Sequence, residues 1–107
     1  MEKVFISIPT KGISPEKINK NISYLLRAAA SAVNGTIELI DGFVGDKDKS
    51  ESLEVLGENI KRMNDADYVV FGEGFENDKG CMTEYNIANR YWKKILIEHG
   101  NKLKEVV

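Results

Sequence analysis

One cysteine in 107 residues, Cys81, leaves no partner for an internal disulfide and no second thiol for a zinc knuckle. A reducing compartment follows, and a cytoplasmic location is expected. Histidine is as scarce: His99 has neither a second histidine nor a cysteine nearby, so no metal site and no cofactor are expected. No run of about 18 apolar residues occurs, and no N-terminal apolar stretch has the length of a signal-peptide core, so no membrane insertion is expected. Charge of one sign is missing too, since 15 Lys and Arg stand against 17 Asp and Glu for a formal net charge of -2. Without a dense basic run, a nucleic-acid polymer is a poor partner.

The residues that are present are those of an ordinary globular chain, 42% apolar and 30% charged. This length favours one domain, 1–107, burying about two-thirds of its unfolded surface in a single core.

"KVFISIP" is a β-branched and apolar run ended by a proline, which predicts a first strand over 3–8. Ser14 and Pro15 form an N-cap with proline at the first helical position. Ile18, Ile22, Leu25, Leu26, Ala29 and Val33 then recur at helical spacing, which predicts a helix closing near Gly35. "TIELID" reads as a second strand, and the polar residues 41–50 as a solvated connection flanking the pocket. Leu53, Leu56, Ile60 and Met63 mark a second amphipathic helix, and "DYVVFG" the central third strand. Cys81, Tyr85, Ala88 and Trp92 share one face of a third helix, and "KKILIEHG" supplies a fourth strand before a short polar tail.

Alternating strands and helices predict a flavodoxin/Rossmann-like three-layer sandwich: a parallel four-stranded sheet of order 2-1-3-4 with helices on both faces. The chain reverses direction between strands one and three, and the crevice at their carboxyl ends is where such sheets bind ligands. Two loops flank it, "PTKGI" and "EGFENDKG". Asp65 and Asp67 precede strand three and belong to the opposite end.

The second loop leads into "FENDKGCMTEY", which gathers Glu76, Asp78 and Glu84 around Lys79. Glu84 is expected in the first turn of the third helix, where unpaired N–H groups favour an ionised carboxylate fit for nucleophilic attack. Acidic residues there also serve as plain capping and dipole partners, Asp78 as a helix cap, and Gly80 as a turn residue. Thr10, Lys11 and Gly12 offer a phosphate a hydroxyl, a cation and an approachable backbone, though Lys11 equally reads as a solvated lysine. Trp92, Tyr85 and Tyr91 are expected to pack the core rather than stack on a base.

Taken in order, "KVFISIPTKG", "NIKRMNDADYVVF" and "DKGCMTEYNIAN" resemble the nucleoside 2-deoxyribosyltransferase-like superfamily, and look closest to its small DUF4406-type domains. The resemblance implies a flavodoxin-like fold and a glutamate, matching Glu84, that attacks the anomeric carbon of a deoxyribosyl group. It implies that Asp78, six positions earlier, contacts the sugar or its 5′ substituent. Pro9, Thr10, Lys11, Gly12 and Gly80 are implied to surround the substrate, a small nucleoside or nucleotide. It also implies a homo-oligomer whose neighbouring chains complete the sites, with the tail "NKLKEVV" as an arm.

Two positions depart from that pattern. Catalytic members carry a tyrosine where this chain has Phe5, and an aspartate where it has Asn59. Asn59 cannot move a proton in the same way, and Phe5 has no hydroxyl to orient the glutamate; a positioned general acid is worth about 10²–10⁴-fold in rate. Two functions are therefore expected to compete: glycosidic cleavage or transfer through Glu84, with Asp78 or Glu76 supporting, and a nucleotide-binding or sensing module that keeps the crevice without the chemistry.

Overall fold

The computed structural model describes residues 1–40, 53–91, 93–100 and 102–106; the connection 41–50 and Trp92 lie outside them. Strand β1 (Glu2–Ser7) stops two residues before Pro9. Helix α1 (Pro15–Val33) starts as expected: Ser14 Oγ accepts from Lys17 N at 3.2 Å, with Pro15 at the first helical position. It ends on Asn34, which itself takes the left-handed cap conformation (φ 54°, ψ 47°) in place of Gly35. Strand β2 (Ile37–Leu39), helix α2 (Leu53–Asn64) and strand β3 (Tyr68–Phe71) follow. A 3-10 turn (Phe75–Asn77) leads into helix α3 (Lys79–Arg90), then strands β4 (Lys94–His99) and β5 (Lys102–Val106).

The protein is a mixed α/β fold with strand order β2-β1-β3-β4-β5. The first four strands are parallel in the expected order, whereas the expectation of only four strands is corrected by β5, which pairs antiparallel with β4. The tail is this strand rather than a free arm. An edge strand has one neighbour and one shielded side, so "KLKEV" reads as polar although Leu103 and Val106 pack onto the two cores. Gly100, at φ +61°, supplies the left-handed residue of the tight turn that places Lys102 opposite His99.

Helices cover both faces. On one, Leu25 and Ala29 of α1 pack with Val4, Val70 and Leu96. On the other, Met63 of α2 and Cys81 and Ala88 of α3 pack with Phe5, Val69, Phe71 and Ile95. The period-two alternation along β1 and β3 sends neighbouring residues to opposite cores. In α2 the buried stripe runs through Val55 and Met63, while Leu53, expected on it, is exposed at the first helical residue. Among the described residues no helix is long and apolar enough to cross a membrane.

Candidate functional site

At the carboxyl end of the sheet, Gly72 N donates to Ser7 O (3.0 Å), so β1 and β3 finish side by side where the strand order reverses. Ligands of open α/β sheets bind outside such a junction. Gly72 is needed there because a Cβ would lie 2.5 Å from Ile8 Cγ2. Gly74, at φ +89°, then opens the 3-10 turn that brings the chain to Asp78.

Asp78 is the N-cap of α3: its Oδ1 accepts from Cys81 N at 2.9 Å. Gly80 packs beside the cap, and a Cβ on it would stand in ordinary contact, 3.4 Å, with the same oxygen. Helical spacing from there turns Cys81, Glu84 and Ala88 toward the sheet. Glu84 is the sixth residue of α3, which corrects its expected place in the first turn, and the influence of the helix N-terminus does not extend that far.

Instead, Glu84 is buried in the α2/α3 core at 5% exposure, and Ser7, at 3%, donates its hydroxyl to Glu84 Oε1 at 2.6 Å. That length is typical of a hydroxyl bound to an ionised carboxylate. Burial pushes the carboxyl above its ordinary pKa, the Ser7 hydroxyl and the Asn59 amide pull it back down, and the charge of Asp78 pushes it up again. Asn59 faces the site because it stands four residues after Val55 and four before Met63, both buried on α2. Arg62 Nη1 donates to Asn59 Oδ1 at 3.4 Å, so the amide has its NH₂ left to offer the carboxylate.

Among the described residues, Cys81 and an aromatic cluster pack on the same face of α3 as Glu84. Burial raises the Cys81 thiol far above its usual range, a shift that Ser7 opposes and the carboxylates of Asp78 and Glu84 reinforce. It is therefore a packing residue at neutral pH. Phe71, Phe75 and Tyr85 form an aromatic cluster with ring centroids 5.2 to 5.4 Å apart. Phe5, at 1% exposure, stands in the core two residues before Ser7 on the same face of β1. Tyr91 is exposed.

The first loop is a turn closed by Ile13 N donating to Thr10 O (3.2 Å), with Gly12 at φ +74°. Pro9 and Thr10 are half-buried, Lys11 and Gly12 exposed. Pro9 lines a cleft of about 290 Å³ on the α1 side, with Lys17, Tyr24, Gly72 and Glu98. Glu84 is not among the described residues of that cleft, so the predicted residues divide between the two faces of the sheet. Asp67 lies at the far end as expected, its Oδ2 accepting from Lys3 N at 2.7 Å.

The cluster thus joins Glu84, Asp78 and Asn59, which the sequence singles out, with Ser7, which it does not. A signal for Ser7 exists: it is the polar break in the period-two run "VFISI" and shares a face with Phe5. Comparison of the chain with protein-family models, with curated proteins and with solved structures returned no significant match.

Proposed function

We propose that this protein cleaves or transfers the N-glycosidic bond of a deoxynucleoside or its monophosphate, with Glu84 as the nucleophile. The observation that carries this reading is a buried carboxyl at the junction of β1 and β3, one of whose oxygens is held by a 2.6 Å hydroxyl bond. Its motifs, as a resemblance, support the same residue. Glu84 attacks the anomeric carbon as the bond to the base breaks, giving a glycosyl ester that water or a second base then resolves. Asp78 commits Oδ1 to the helix cap, and its other oxygen serves the sugar.

The test is incubation with deoxynucleosides and their 5′-monophosphates, with and without an added base, following free and exchanged base by chromatography. Base release that disappears in Glu84→Ala is expected; full release by that variant overturns the proposal.

A second reading is favoured by the upward push of burial on Glu84, by the lack of an orienting hydroxyl at Phe5 and by the lack of a proton-transferring group at Asn59. A neutral carboxyl hydrogen-bonds a nucleotide without attacking it. Saturable thermal stabilisation by a nucleotide with no product from any substrate selects this binding module.

A further inference from the structure

We propose that Ser7 is the positioning residue of the Glu84 nucleophile, supplying from the end of β1 the hydroxyl that Phe5 lacks. This inference rests on the glycosidic reading above. A carboxylate attacks through one oxygen, and its rate depends on that oxygen being presented at a fixed angle and distance. Ser7 Oγ pins Oε1, and in the proposed role Oε2 is the attacking oxygen. The serine is itself fixed: its carbonyl accepts from Gly72 N, its residue is paired with Phe71 across the sheet, and its side chain is almost wholly buried. Phe5 and Ser7 lie on the same face of the strand, so moving a hydroxyl from the first to the second keeps it on the α3 side while bringing it to the carboxyl end.

Among the described residues, the groups facing Glu84 come from three elements. Ser7 comes from β1, Asn59 from α2 with Arg62 bound to it, and Asp78 and Cys81 from the start of α3. Ser7 and Asn59 are donors to the carboxylate, while Asp78 and Cys81 oppose its charge or are neutral. Removing the hydroxyl therefore both releases Oε1 and favours the protonated form.

The experiment compares Ser7→Ala, Ser7→Cys and Ser7→Thr with the parent protein. One readout is base release resolved into kcat and KM over pH. The other is the Glu84 carboxyl titration followed by carbon NMR, which needs no substrate and also reports whether each variant is folded. For Ser7→Ala we expect kcat about 10–100-fold lower with little change in KM, because the loss is one of alignment. Both the acid limb of the rate profile and the Glu84 titration should move to higher pH. Ser7→Cys, a weaker donor of similar size, falls between, and Ser7→Thr recovers most of the rate. An active parent whose kcat and Glu84 titration are both unchanged in folded Ser7→Ala or Ser7→Cys overturns the positioning role and leaves the glycosidic reading standing. A parent with no base release from any substrate overturns the glycosidic reading and, with it, this role for Ser7.

Discussion

Glu84 is a residue whose local cost is visible. In the folded chain it keeps its proton to higher pH than in the unfolded chain, because burial outweighs the two donors that oppose it. Between the ordinary carboxylate range and its raised folded value the folded state binds more protons, so its contribution to stability is full at acid pH and falls as pH rises through that window. Glu84→Gln has no charge to bury. It should therefore melt close to the parent at low pH and above it at neutral pH while losing all base release, as calorimetry across pH and the base-release assay will show. Asp78 separates two roles within one side chain. Asp78→Ala loses the cap and should destabilise by about 1 kcal/mol in urea denaturation. Asp78→Asn keeps a capping oxygen, so it should retain most of the stability; a large loss of base release in that variant isolates the contribution of the charge to the proposed sugar site.

At the scale of elements, one connection holds the site's geometry and another the far end of the sheet. Gly72 passes so close to Ile8 that Gly72→Ala has no room for its methyl group. Overpacking of this kind costs about 1–3 kcal/mol, and because Gly72 N holds Ser7 O, weaker base release should accompany the lower denaturation midpoint. Lys93 instead ties down the C-terminal end of α2, away from the site: its ammonium donates to Asn64 O (2.9 Å) and Ala66 O (2.8 Å), carbonyls of the finished helix and the turn after it. Lys93→Met keeps the apolar stem and removes both bonds. A loss of about 1–3 kcal/mol is expected from urea denaturation, with catalysis unchanged because the site is at the other end of the sheet. The caps of α1 and α3 were readable in the chain because Ser-Pro and Asp-Lys-Gly are short-range chemistry. The position of Glu84 in α3 was not, since the helix opens at Lys79 directly after the Asp78 cap, which puts Glu84 in its second turn.

For the whole molecule, β5 is the element that changes the expected architecture. It shields the outer edge of β4 and adds Leu103 and Val106 to the two cores. Deleting residues 102–107 should lower the urea midpoint and abolish slow hydrogen exchange in β4 while β1 and β3 stay the most protected strands, which exchange NMR resolves. The chain by itself determined the alternation of strands and helices and pointed to the order of the parallel strands and to Glu84 and Asp78 as candidates, because hydrophobic period, cap residues and short motifs are local properties. Asn59 and Phe5 were visible in it as departures, yet their surroundings were not. Only the tertiary structure decided that Ser7 meets Glu84 across 77 residues of sequence, that Asn59 turns its amide to the same carboxyl, and that Pro9 faces a cleft on the other side of the sheet. The physical reason is that burial and hydrogen-bond partnership are set when β1, α2 and α3 pack together, and a buried carboxyl takes its charge state from that company rather than from its place along the helix.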